Sequence, residues 1–191
     1  MKDFFKFNKP KDSYEFQIKE PELPENFHIP RWEELPNVDL YLDQVVTLIN
    51  SCLNELISGN ISEKKENPIL TKTMINNYVK NNLIEAPIKK KYSKTQCAKI
   101  FAICVLKQVY SMNDIFLLIT EALKRVSIEI AYNKFCDLFE QALICTYNKK
   151  DFIDSNINDE ARYLLKSVLL SCSYKIYVEN LVNLVNTKNS T

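Results

Sequence analysis

Two rows of side chains within a short stretch have the composition of a reading surface. Lys72, Asn76 and Lys80 recur at a spacing of four, and Thr73, Asn77 and Asn81 recur at the same spacing one step on. On a helix such rows lie side by side on one face. Every member can donate a hydrogen bond and none is acidic. Asn can hold adenine through its N6/N7 edge, and Lys can pair with guanine or with a phosphate. The chemistry on offer is therefore recognition of a nucleic acid, not the making or breaking of bonds. Downstream, Lys89, Lys90 and Lys91 are consecutive, which suits a segment lying along a phosphate backbone. Thr71, Lys72, Thr73, Asn76, Asn77 and Lys80 are expected in the major groove of double-stranded DNA, with Lys89, Lys90 and Lys91 on its phosphates. The plain alternative for the two helical rows is a solvated face in a Lys- and Asn-rich chain.

Other chemistries find little to work with. The single histidine, His28, has no ligand cluster around it, so neither a Ser-His-Asp nor a Cys-His arrangement can be assembled. The six cysteines include no CxxC pair and fall mostly in apolar runs, where a free thiol behaves as a small core residue. One glycine in the whole chain rules out phosphate-cradling loops of the GxGxxG or GxxxxGK kind. Glu33/Glu34 and Asp159/Glu160 sit at helix starts, where the helix dipole favours carboxylates. No catalytic residue, metal site or cofactor is expected.

The elements that must position the reading face follow from local rules. Thr71 can cap a helix from about Lys72 to Asn81, with Ile75 and Val79, and Met74 and Tyr78 beside them, on its docking face. Asn82 tolerates the left-handed backbone that ends a helix. Residues 83–92 then form two short extended arms, since Pro87 bars a helix. Ser93 and Gln96 make a capping box that opens a helix to about Tyr110. Ser111 starts another to about Lys124, and Ser127 a third to about Tyr147. Upstream, Asn37 or Asp39 is available to cap a supporting helix whose apolar face includes Leu40, Leu42, Val45, Ile49 and Leu53. Residues 59–67 read as a loop, as do residues 148–158. The last helix, about 159–185, is apolar nearly all round and must be buried, in the core or against a partner.

Helix, turn, basic wing and two capped helices make a winged helix-turn-helix. The order TMINNYVKNNLI, basic wing, YSKTQCAKIFAICVLKQVYSMNDIFLLI resembles the N-terminal DNA-binding region of MerR-type regulators. Tyr78 falls on the second tyrosine of that family's Thr-Leu-Arg-Tyr-Tyr-Glu helix, Leu83-Ile84 on its double leucine, and Tyr92 on the tyrosine that ends the wing. The resemblance therefore adds Tyr78 and Tyr92 to the expected DNA-contacting set. Two positions depart from it: Asn76 stands for the phosphate-binding arginine and Asn82 for the turn glycine. WEELPNVDLYLDQVV (Trp32 to Val46), LTKTMINNYVKNNLI and KKKYS also resemble the bacterial domain-of-unknown-function family eighteen thirty-six, over roughly residues 28–145. That resemblance implies a regulatory, DNA-binding role.

Charge is distributed accordingly. Residues 1–70 carry a net −5, residues 71–110 a net +7 and residues 111–191 a net −1, although the chain as a whole is only +1. Concentrated positive charge is a statement about partners, and a polyanion is the natural one. With 46% hydrophobic residues and long Leu/Ile/Val periodicity, a mainly α fold follows. It divides into an N-terminal arm (1–36), a winged helix-turn-helix DNA-binding domain with a small β wing (37–120), and an all-α C-terminal domain for dimerisation and any sensing (121–191). No apolar run reaches membrane-spanning length and no signal-peptide pattern is present, so a cytoplasmic chain is expected. The expected function is that of a sequence-specific transcriptional regulator acting as a homodimer. The alternative is a helical interaction module that docks an acidic protein on the basic wing face.

Overall fold

The computed structural model describes residues 20–25, 27–58, 68–153 and 159–188. The aromatic stretch before residue 20, the expected loop at 59–67 and the last five residues of the 148–158 loop lie outside them. A 3-10 turn, Trp32–Glu34, leads into strand β1 (Leu40–Tyr41) and helix α1 (Leu42–Ser58). Helix α2 (Lys72–Lys80), strand β2 (Lys91–Tyr92) and helices α3 (Lys94–Leu106), α4 (Met112–Leu123), α5 (Ile128–Tyr147) and α6 (Glu160–Lys188) follow. The protein is mainly helical, and its described residues include one small two-stranded sheet. No described helix is long and apolar enough to cross a membrane.

Helix α3 is the axis of the core. Ile100, Phe101, Ile103, Cys104 and Val105 are fully buried. From Ile100 to Leu106 the helix is apolar nearly all round, because neighbouring elements cover most of it. It packs against α1, α5 and α6. A single cluster of buried side chains runs from Ile29 through α1, α2 and α3 to Phe139, Leu169 and Ile176. The caps at Thr71, Ser93, Ser111 and Ser127 all form, each hydroxyl accepting the third backbone N–H of its helix.

One expectation is corrected. Leu40 belongs to β1, not to the apolar face of a helix: Leu40 pairs with Tyr92 and Tyr41 with Lys91 in antiparallel register. The reason is long-range, because the partner strand arrives fifty residues later with the basic segment. Helix α6, expected to be buried in the core or against a partner, is covered by the described elements on one side. Val168, Leu169, Cys172 and Ile176 enter the core, while Tyr174, Val178 and Val182 are about half exposed, since no described element covers that face.

The segment before β1 is pinned to α5. Glu140 accepts the Ile29 N–H at 2.7 Å and both terminal nitrogens of Arg31, at 2.8 and 2.5 Å, while Arg31 Nε reaches Asp137 at 3.0 Å. Ile29 and Leu35 are buried on either side of this clamp.

Candidate nucleic-acid interface

Helix α2 is held at both ends. At its start, Thr71 Oγ1 accepts the Met74 N–H at 3.2 Å, so this hydroxyl is committed to the cap. At its end, Asn82 lies in left-handed backbone at φ 57°. The Asn82 N–H bonds to the Val79 carbonyl at 3.0 Å and the Leu83 N–H to the Tyr78 carbonyl at 2.9 Å. These two bonds form a Schellman motif, and the buried Leu83 is its apolar contact. Ile75 and Tyr78 dock into the core, which leaves Lys72, Thr73, Asn76, Asn77, Lys80 and Asn81 exposed. The Asn81 side chain turns back to the Asn77 carbonyl at 2.8 Å.

The approach to α2 is fixed by groups that the sequence pattern did not single out. Asn50 on α1 donates to the Leu70 carbonyl and accepts the Leu70 N–H, both at 2.9 Å. Asn54, one turn further along α1, accepts the Ile69 N–H at 3.3 Å. Lys107 just beyond α3 donates to the Ile69 carbonyl at 2.5 Å. Burial pushes the Lys107 ammonium pKa below its ordinary value. A signal was present: Asn50 and Asn54 are the two amides, four apart, that interrupt an otherwise apolar flank of α1.

The basic segment is a tight hairpin. Ile88 and Lys91 exchange backbone hydrogen bonds at 3.0 and 2.9 Å, leaving Lys89 and Lys90 as a two-residue loop. Both have positive φ, 49° and 65°, the pattern of a type I′ turn that Asn-Gly ordinarily fills. For a residue with a β-carbon such backbone costs on the order of 1 kcal/mol. Both lysines are exposed, and neither has a side-chain partner among the described residues.

The other cations near this surface are engaged. Lys91 lies over the Tyr41 ring at 5.0 Å, and Lys94 lies over Trp32 at 5.1 Å while donating to Asn37. Lys99 pairs with Glu85 at 2.5 Å, and Lys72 pairs with Asp43. Asp43 is two residues from Tyr41, so their Cα atoms are no more than about 7.6 Å apart. Through this pair of neighbours the start of α2 and the base of the hairpin meet. Lys80, Lys89 and Lys90 remain as the lysines of the region with no partner among the described residues.

Two of the expected contact residues are turned inward. Tyr78 is 2% and Tyr92 3% exposed, and both belong to the core cluster. Tyr78 occupies the docking face of α2 beside Ile75. Tyr92 takes the inward position of β2 because its neighbour Lys91 takes the outward one. Burial raises both phenol pKa values, and the Tyr78 hydroxyl has no hydrogen-bond partner among the described residues. Thr71, Lys72, Thr73, Asn76, Asn77, Lys80, Lys89 and Lys90 are exposed or half-buried, and Lys91 is half-buried.

Among the described residues no group of His, Cys, Asp and Glu is placed to hold a metal ion. Burial pushes the Cys97 thiol up to about 11 and those of Cys104, Cys136 and Cys172 up to about 12, so these sulfurs are neutral packing groups near pH 7.

A family profile described as "Domain of unknown function (DUF1836)" matches residues 30–135, more than half of the chain, which therefore belongs to that family. The match runs from the Arg31 clamp through the hairpin to the first half of α5. No curated protein and no solved structure matches the chain.

Proposed function

We propose that this DUF1836 member is a sequence-specific transcriptional regulator that binds double-stranded DNA as a winged helix-turn-helix. One observation carries the reading. The hairpin tip holds two lysines in backbone that neither favours, and both lack a partner among the described residues. That hairpin is tied through Tyr41 and Asp43 to the start of a helix whose exposed face is free of acid. Strained backbone that presents unpaired charge is a functional signature rather than a packing solution.

In this reading α1 supports α2, and α2 enters the major groove. Asn76 and Asn77 read adenine edges, Lys80 pairs with guanine or a phosphate, and Thr73 adds a short contact. Lys89 and Lys90 lie on phosphates. Thr71, Tyr78 and Tyr92 hold the surface in place from behind. Lys72 contributes only after leaving Asp43. The half-exposed row Tyr174, Val178 and Val182 on α6 supports pairing of two copies on paired half-sites.

The test is titration of genomic fragments, the chain's own upstream region included, at several salt concentrations. A saturable complex with a steep salt slope is expected. A Lys80/Lys89/Lys90→Ala variant should flatten that slope by about 0.9 per lost phosphate contact. Asp43→Asn should free Lys72 and steepen it by a similar amount. No complex at low salt, or a triple variant indistinguishable from wild type, overturns the reading. Stoichiometric capture of an acidic protein in place of DNA selects the interaction-module alternative.

A further inference from the structure

A groove of about 310 Å³ opens between α4 and the connection from α2 to the hairpin. Its α4 wall is one face of that helix, with Phe116, Ile119 and Leu123 at helical spacing. Phe116 is 44% exposed although it belongs to an apolar row, so the row has no partner that fully covers it. The opposite wall is backbone and side chains of residues 82–85.

The charged group in the groove is unusual. The Lys99 side chain is only 12% exposed, and its carboxylate partner, Glu85, is 63% exposed at 2.5 Å. A lysine ammonium has three donors and Glu85 takes one. The other two have no acceptor among the described residues. An ammonium on a mostly buried stem with spare donors favours an anion. Glu85 is mostly in water, so it can leave Lys99 at small cost. Beside Lys99, Thr120 and Asn82 line the groove, and neither the Thr120 hydroxyl nor the Asn82 side-chain amide has a hydrogen-bond partner among the described residues.

We propose that this groove binds a small amphipathic carboxylate, its apolar part against Phe116, Ile119 and Leu123 and its carboxylate on the Lys99 ammonium. The volume sits at the lower end of the range for small-molecule sites, which fits one short acyl or aryl chain. Asn82 and Thr120 supply the polar contacts that fix its head. Occupancy bears on DNA as well, because Asn82 ends α2 and Glu85 leads into the hairpin. That consequence rests on the DNA reading above; the site does not.

Octanoate is the probe, compared with 1-octanol and octyltrimethylammonium by calorimetry and by backbone amide NMR on the full chain. Octanoate should bind one site per chain and shift the amides of Asn82, Phe116 and Thr120. 1-Octanol should bind about tenfold more weakly, the worth of one charge-assisted contact. Lys99→Met, which keeps the buried stem, should bring octanoate down to the level of 1-octanol. Glu85→Gln should tighten octanoate. Phe116→Gln, at a partly exposed position, removes apolar wall without adding charge and should weaken octanoate and 1-octanol alike. Absence of octanoate binding overturns the proposal. So does equal affinity for 1-octanol or octyltrimethylammonium, or an affinity unmoved by Lys99→Met. Adding saturating octanoate to the DNA titration reads the coupling: a changed DNA affinity supports it and an unchanged one overturns it. A chain that takes octanoate but no DNA sinks the DNA reading and leaves the site standing.

Discussion

The Asn50 side-chain amide closes on both peptide groups of Leu70, donating to the carbonyl and accepting the N–H at 2.9 Å each, just ahead of the Thr71 cap. Helix α1 thereby dictates where α2 begins. Asn50→Leu keeps the volume and removes both bonds. It should cost about 2 kcal/mol, because two backbone groups lose their partners. Urea unfolding reads this cost. Asn50→Asp, which can accept but not donate, should fall between the two. Equal stability of all three proteins would remove Asn50 from the support of α2.

The hairpin separates stability from binding by sign. Asn-Gly is the preferred filling of a two-residue loop with both central residues at positive φ. Replacing Lys89 by Asn and Lys90 by Gly should therefore raise stability by about 1 kcal/mol. The same double variant removes two unpaired ammonium groups, so DNA affinity should fall and its salt slope should flatten. A variant that loses stability and affinity together would show that Lys89 and Lys90 serve the fold.

Tyr78 gives the opposite test. Its phenol is buried and unpartnered, and such a group costs about 1–3 kcal/mol compared with one that is satisfied. Tyr78→Phe should leave stability unchanged or raise it by about 1 kcal/mol, with DNA affinity unaltered. A selective loss of DNA affinity would restore Tyr78 to the contact surface.

Stability should fall at both ends of the pH range. Burial pushes the Glu140 carboxyl up, but hydrogen bonds from Arg31 and the Ile29 N–H outweigh this and hold its pKa below 4.5. The folded chain thus gives up this proton more readily than the unfolded chain. The stabilisation is fully present above pH 4.5 and is lost as pH falls through the lower folded value. Glu140→Gln should flatten that acid limb while lowering stability near pH 7. At the alkaline end the buried thiols run the other way. Unfolded cysteines ionise near 9.0, whereas in the fold Cys97 waits until about 11 and Cys104, Cys136 and Cys172 until about 12. Between those values the unfolded chain binds fewer protons, so stability declines as pH rises above 9.0. Lys107 opposes this weakly, since its lowered pKa lets the fold shed a buried charge early. Chemical denaturation across pH, with free thiols kept reduced, checks both limbs.

What was legible in the sequence was local. Thr71, Ser93, Ser111 and Ser127 are short hydroxyl residues ahead of apolar periodic runs, and each forms its cap because a cap needs only the next three residues. Asn82 could be read as a helix stop for the same reason. Pairings between distant segments were not legible. β1 exists only because Lys91 and Tyr92 come back to it, and nothing in Leu40-Tyr41 alone distinguishes a strand from a first helical turn. The inward turn of Tyr92 follows from that pairing. The neutralisation of Lys72 is also tertiary: Asp43 sits twenty-nine positions earlier and on another helix. Charge counted along the chain overstated the free charge at the surface.

The burial of the Ile100–Val105 half of α3 has a consequence for how the molecule opens. Helix α3 packs against α1, α5 and α6, so hydrogen exchange of the amides in that half should report global unfolding. Lys89 and Lys90 sit in a loop closed by two backbone bonds, and amides there can exchange through a fluctuation confined to the hairpin. A slowly exchanging centre and a quickly exchanging lysine tip are thus expected in one molecule.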